Sequence, residues 1–394
     1  GRAALGVGGP GEAEVGAADE TVVSLLEEAL GALGRKDSAV RARVLARLTA
    51  ELSITDAERA RSLSQQSIEM ARRVGDTTAL AQALWTSQYS LRARPESVGD
   101  RLAAATEILR LLEEAEDRSM EAAWHVLRLG ALLDIGDIPG VDAQIEALAK
   151  VVDETRHPFR FWLPPAYRAM RALMDGRFAE GQRLSQQALA AGQQVRSQYA
   201  AQIFAVQMFT LHWLEAGFTE ADVVTTKGFA KQYPAIPFLR CSLAHICSEL
   251  GCEAEAREAF ESLAASDFAD LPRDQFWLTC IGFLSEACAL LGDERRAAKL
   301  YDLLLPYSSL NVTTGEVACH GSASRYLGLL ATTMSRWEDA KRHFHDALEM
   351  HTKMGARPWL ARTQHDYAKM LLARDQPGDR EKAMELLGQA LDTA

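Results

Sequence analysis

The sequence is poor in cysteine, with six in 394 residues and no Cys-x-x-Cys pair. A disulfide framework and a zinc ribbon are therefore not expected, and a reducing cytoplasm is the natural setting. Cys241, Cys247, Cys252, Cys280, Cys288 and Cys319 fall mostly on apolar helix faces and read as small buried hydrophobes. A long hydrophobic run is also missing. The most apolar stretch, Tyr199 to Leu214, spans 16 residues and contains Gln202, Gln207 and His212, too short and too polar to cross a bilayer. No charged-then-apolar leader opens the chain. Basic charge is in deficit, 43 Lys and Arg against 54 Asp and Glu, for a formal net charge of −11. That balance argues against a chain built to hold nucleic acid, because phosphate binding needs a basic face. Apolar residues are plentiful at 48%, beside 25% charged. This is the composition of a well-packed protein and excludes wholesale disorder.

Catalytic signatures are lacking too. Gly6-Val7-Gly8-Gly9-Pro10-Gly11 superficially suggests a phosphate loop, but no Gly-Lys-Ser/Thr and no apolar strand accompany it. There is no Gly-x-Ser-x-Gly elbow. His343-Phe344-His345, with His320, His351 and His365 nearby, invites a metal reading. Residues two apart on a helix point roughly 200° from each other, however, and His-Glu-x-x-His is absent. No catalytic residue, no metal site and no enzyme activity are expected.

The chain begins Gly1-Arg2-Ala3-Ala4 without an initiator Met. Residues 1–20, rich in Gly and Ala, read as a flexible linker, and the chain as a fragment of a longer protein. From Thr21 onward the periodicity is helical. Val40, Val44, Leu45, Leu48 and Leu52 share one face, as do Trp337, Ala340, Phe344, Ala347 and Leu348. No convincing alternating strand is present. Helices are predicted over 21–33, 39–52, 56–74, 77–93 and 99–115 in a less regular first part. Turns are expected at Gly75-Asp76, Gly99-Asp100, Gly136-Asp137, Gly176-Arg177, Gly251, Gly292-Asp293 and Gly378-Asp379, and also near Asp56 and Glu96. Glycine closes a helix in the left-handed conformation, and Asp caps the next one.

Turn positions 136, 176, 217, 251, 292, 335 and 378 are separated by 40, 41, 34, 41, 43 and 43 residues. A regular array of helix pairs gives such a period. Within it a small residue recurs five positions after the turn and a bulky one nine after: Ala256/Phe260, Ala297/Tyr301, Ala340/Phe344 and Ala383/Leu387, with Val141/Ile145 a looser match. Gly181/Ser185 departs from this, and the unit at Gly217 fits poorly. Leu243-Ala244, Leu284-Ser285 and Leu327-Gly328 lie twelve residues ahead of three of these alanines. The register resembles the tetratricopeptide helix-turn-helix with a longer period. The expected fold is all-α, a right-handed solenoid of about nine helix pairs over residues 21–394, with 116–394 the regular part.

The register places Gln207, Cys241, Gly282 and Arg325 at equivalent inner positions, with His245, Glu286 and Leu329 one turn later. Gln207, His245, Glu286 and Arg325 are therefore candidates to line a concave groove for a peptide or small ligand. Alternatively, Arg325 pairs internally with a neighbouring repeat and the others are ordinary polar residues. Tryptophans 124, 162, 213, 277, 337 and 359 recur about once per repeat and read as inter-helix packing. Phe159-Arg160-Phe161-Trp162-Leu163-Pro164-Pro165 is either a docking corner or an aromatic plug, and its prolines should delay the next helix.

Several strings carry a family resemblance. They are Leu271-Pro272-Arg273-Asp274 with Trp277-Leu278, the run Leu300 to Tyr307, Gly321-Ser322 with Arg325 to Ala331, Arg357 to Thr363, Tyr367 to Arg374, and Pro377 to Arg380. The opening Arg2 to Gly9 belongs with them. Together they resemble the C-terminal helical-repeat region of large bacterial signalling regulators. In those proteins an ATP-binding switch domain is joined to a LuxR-type DNA-binding domain or to a class III nucleotide cyclase. The resemblance implies a non-catalytic module that receives an inducer or an inhibitory partner: a peptide, a partner protein or a small effector. It implies no cofactor in this region, ATP being expected only on an upstream domain. Direct contact with nucleic acid or membrane is not expected; oligomerisation is possible. Arg362 matches one of the strings and joins the candidate groove residues, with stacking on Trp359 or capping of a carbonyl as alternatives. A passive scaffold or oligomerisation arm without a ligand is the other functional reading.

Overall fold

The computed structural model describes residues 20–53, 55–91, 97–115, 121–156 and 160–393. The proposed linker up to residue 19, the turn near Glu96 and Phe159 of the aromatic cluster lie outside the described residues. Among the described residues are 19 α-helices and one β-hairpin. The first part holds α1 (Glu20–Leu33), α2 (Ala39–Leu52), α3 (Ala57–Val74), α4 (Thr77–Leu91) and α5 (Ser97–Ala115). Next come α6 (Glu121–Asp134), α7 (Ile138–Thr155), α8 (Leu163–Met174), α9 (Phe178–Gln194) and α10 (Gln198–Leu211), which ends in one π-helical turn (His212–Ala216). They are followed by α11 (Glu220–Gln232), α12 (Pro237–Glu249), α13 (Glu253–Ala264), α14 (Trp277–Leu291) and α15 (Glu294–Leu304). Strands β1 (Asn311–Thr314) and β2 (Ala318–Ser322) precede α16 (Ala323–Thr333), α17 (Trp337–Met354), α18 (Arg357–Arg374) and α19 (Asp379–Thr393). No described helix is long and apolar enough to cross a membrane.

Short connections make sequence neighbours pack as pairs. The turn at Gly136 shows how: its φ of +69° is open to glycine at little cost, and the Gly136 and Asp137 amides return to the Leu133 and Leu132 carbonyls. Asp137 then caps α7 by accepting from the Gly140 amide at 3.1 Å. Ser335 takes the same left-handed conformation (φ +56°) at the one step of the series that lacks glycine. Two expectations are corrected. Gly99-Asp100 lies inside the first turn of α5 and does not break it. Pro164 and Pro165 lie within the first turn of α8, where missing amide hydrogens cost nothing, so they start the helix rather than delay it.

The small/large register is a packing rule. Ala256, Ala297, Ala340 and Ala383 are fully enclosed, as are Phe260, Tyr301 and Phe344. A Cβ added at Gly328 would lie 2.8 Å from the Phe344 ring, so α16 and α17 approach as closely as they do only because that position is glycine. First helices of successive pairs also touch one another, as α2 does α4, α12 does α14, and α14 does α16. Nearly all the buried apolar residues fall in two contiguous clusters, with Ala169, Ala172 and Leu184 in a small third one. One is built mainly from α1 to α5, and the larger one runs from Val98 to Leu386.

The hairpin is the departure from an unbroken run of helices. Its strands pair antiparallel, Asn311 opposite Ser322 and Thr314 opposite Ala318, with a bulge between. Every residue of both strands is buried. A chain that stacked only neighbour on neighbour would not bring residues 150 to 180 apart into contact, yet the hairpin and α18 do so. Asn311 Nδ2 donates to Leu133 O on α6 at 2.9 Å, 178 residues away, and Arg362 reaches Trp213 O across 149 residues. The late helices therefore curl back on the early ones, and the hairpin lies inside the curve.

Candidate functional site

The hairpin is held by side chains from helices far apart in sequence. Thr313 Oγ1 donates to Asp134 Oδ1 on α6 at 2.7 Å, and Asp134 is also ion-paired with Arg101 of α5. Thr279 of α14 donates to Thr313 O at 2.8 Å, Tyr326 of α16 to His320 O at 2.6 Å, and Trp359 of α18 to Cys319 O at 3.0 Å. His351 of α17 accepts the Ser322 amide at 2.8 Å. Gly282 of α14 admits β1: a Cβ there would stand 3.1 Å from Val312. These bonds partner polar groups of a hairpin that, among the described residues, has no further strand on either edge.

This arrangement decides where the candidate groove residues lie. Gln207, His245, Glu286 and Arg325 do converge on the inner side, but all are between 0 and 3% exposed. They therefore do not line an open trough. Gln207 donates to Ala166 O of α8 at 2.7 Å and to Val317 O of the hairpin at 3.3 Å, while its own oxygen accepts from Ser185. Arg325 pairs with Glu286 of α14 at 2.6 Å and with Asp366 of α18 at 2.7 Å. Arg325 is thus paired internally, with one carboxylate from α14 and one from α18. Arg362, more exposed, caps Trp213 O at 3.0 Å and pairs with Glu249 at 2.9 Å rather than stacking on Trp359.

An aromatic cluster surrounds this chain of charges. The π-helical turn carries Trp213, whose ring meets His245 at 4.4 Å and Trp359 at 4.8 Å. His245 stacks on Phe283 with 5.0 Å between centroids. Burial pushes His245, His320 and His351 down to about 3, so all three are neutral near pH 7. Despite its burial, Asp366 is held below the usual carboxylate range by the Arg325 charge. The other histidines do not gather. His343 meets the Tyr301 hydroxyl, His351 the Thr363 hydroxyl and the Ser322 amide, and His320 the Thr314 hydroxyl. Five of the six cysteines are buried, and burial raises the thiols of Cys247 to about 11 and of Cys288 and Cys319 to about 12. Such thiols are unreactive.

Open space remains at the hairpin tip. A cavity of about 110 Å³ is bounded by Trp85 and Gln88 of α4, Tyr199 of α10, Phe238 of α12, Phe276 and Glu316. That is room for a ring-sized molecule or several waters. Gln88 is 4% exposed, and neither its amide nitrogen nor its oxygen has a hydrogen-bond partner. The sequence reading missed Gln88, Asp366, Glu249 and the hairpin. The one available signal for Asp366 was that a buried Arg325 requires carboxylates. No family model matches the chain, and no curated protein matches it.

Proposed function

We propose that this chain is a non-catalytic sensory module of a bacterial signal-transduction or transcriptional regulator, and that its effector is a small molecule bound at the hairpin tip. The finer architecture belongs to this reading: a right-handed, tetratricopeptide-like superhelix whose concave side the chain fills with its own hairpin. The supporting observation is the unpartnered amide of Gln88, buried beside aromatic walls in a cavity that early and central helices share. Leaving both amide atoms unpaired costs on the order of 1–3 kcal/mol, which a ligand carrying a donor and an acceptor recovers. Such a ligand touches α4, α10, α12 and the hairpin together. It therefore binds one curvature better than another, and only that difference can bias an upstream ATP-dependent switch domain. A peptide is larger than this cavity of about 110 Å³.

The test is a thermal-shift screen of small polar aromatic and amide compounds, run on the wild type and on Gln88→Leu. The reading expects compounds that raise the melting temperature of the wild type and leave the variant unmoved. A screen in which every stabiliser acts equally on both proteins refutes the pocket. A second reading, a scaffold or oligomerisation arm, has its own observation. No residue of α11 is buried, and Val224, Phe229 and Tyr233 on or just after it are exposed. Concentration-dependent sedimentation abolished by Val224→Glu would favour that reading.

A further inference from the structure

The His245 ring is completely enclosed, yet neither of its nitrogens makes a hydrogen bond. Its Nδ1 lies 3.1 Å from Glu286 Oε2 without hydrogen-bond geometry. Glu249 follows His245 by four residues on α12 and shares its face. One ligand atom from each of His245, Glu249 and Glu286 lies within 4.8 Å of the others. Two donors bound to one ion at about 2.1 Å, at roughly right angles, stand about 3 Å apart, which is the His245–Glu286 spacing.

We propose that His245, Glu249 and Glu286 bind one divalent transition-metal ion, joining α12 to α14 through one nitrogen and two carboxylate ligands. The surrounding charges support this. Arg362 holds Glu249 Oε2 at 2.9 Å and Arg325 holds Glu286 Oε1 at 2.6 Å, which fixes each carboxylate and leaves its second oxygen for the ion. Counting Asp366, three carboxylates face two guanidinium groups, so the site carries one net negative charge before the metal arrives. The nitrogen ligand favours Zn²⁺, Co²⁺, Fe²⁺ or Mn²⁺ over Mg²⁺ and Ca²⁺. The Glu249 side chain is 27% exposed, so the site has a route to solvent, and water can fill the remaining positions. This departs from the metal-free expectation drawn from the His343 region, because the ligands come from two helices with no shared sequence motif.

Co²⁺ titrated into chelator-treated protein is the test, and because it uses the metal alone it is independent of the effector reading. A visible ligand-field band saturating at one ion per chain is expected, with Zn²⁺ competing for it and Mg²⁺ not. Glu249→Gln should weaken Co²⁺ binding about 10- to 100-fold while melting like the wild type without metal. His245→Gln should abolish the band. A missing band, or equal binding by Glu249→Gln, overturns the proposal; the latter would assign the ion to exposed carboxylates elsewhere.

Discussion

Replacing Arg325 with methionine tests the charged centre of the interior directly. The side chain is 2% exposed and joins Glu286 on α14 to Asp366 on α18 through contacts of 2.6–2.8 Å. Methionine keeps much of the volume and removes the charge, leaving two enclosed carboxylates unpaired. Breaking a buried pair in this way costs about 3–5 kcal/mol. The pH dependence separates this cause from lost packing. In the wild type, burial pushes Asp366 up but the Arg325 charge outweighs it, so the carboxyl sits below its ordinary value. Its contribution is therefore present above the unfolded pKa and is lost only as pH falls through the lower folded value. In Arg325→Met the largest charge opposing burial is gone, only His365 and Arg362 still hold the carboxyl down, and the folded value rises. The variant is then penalised at neutral pH and relieved as acid protonates Asp366, by up to about 1.4 kcal/mol per pH unit. Urea unfolding of both proteins at pH 7, 6 and 5, followed by helical circular dichroism, measures the gap. It should narrow towards acid, and Arg325→Met/Asp366→Asn should be more stable than Arg325→Met. A gap below 1 kcal/mol, or one constant across that range, refutes the account.

Acid stability of the whole protein follows from the neutral histidines. His245, His320 and His351, held at about 3, and His343, at about 4, take up protons on unfolding, whereas Asp274, raised to about 7 by burial, releases one. A net uptake of about three protons makes stability fall by roughly 4 kcal/mol per pH unit as pH drops from 6 to 5; a flat profile there would contradict the burial of these rings. Gly328→Ala should cost about 1–3 kcal/mol, because its Cβ would stand 2.8 Å from Phe344, which is stacked on Tyr367. Gly228→Ala on exposed α11, where the same atom meets nothing within 4 Å, should instead stabilise by roughly 0.5–1 kcal/mol. Thermal melts of the two variants should therefore shift in opposite directions.

Helices were legible because their signals are local. The predicted 39–52 agrees with α2 at both ends, and 56–74 differs from α3 by one residue. At these ends the caps are within three residues of the turn: Ser38 accepts the Arg41 amide and Asp56 the Arg59 amide. The repeat also failed where it should on physical grounds. The unit at Gly217 fits the small/large register poorly because α10 ends in a π-helical turn and α11 buries no residue. Without a tight helix–helix face there is no demand for a small residue at one position and a large one four later.

The hairpin was not legible, for a reason that also explains the misread groove. Strands of four and five residues, buried on both faces, leave no alternation to detect. Their position is set by partners such as Leu133 and Asp134, almost 180 residues away. What sequence does register is the requirement that the hairpin places on its surroundings. Two short strands without further pairing expose edge amides and carbonyls, and a dry interior must satisfy each of them. Gln207, Thr279, Tyr326, His351 and Trp359 meet hairpin groups one at a time, from five different helices. At Gln207 the polar inner position that the periodicity singled out is occupied by a bond to the chain's own hairpin, at Val317 O. Gln88, at the tip, still has both its donor and its acceptor to give, and that is the observation behind the proposed effector site.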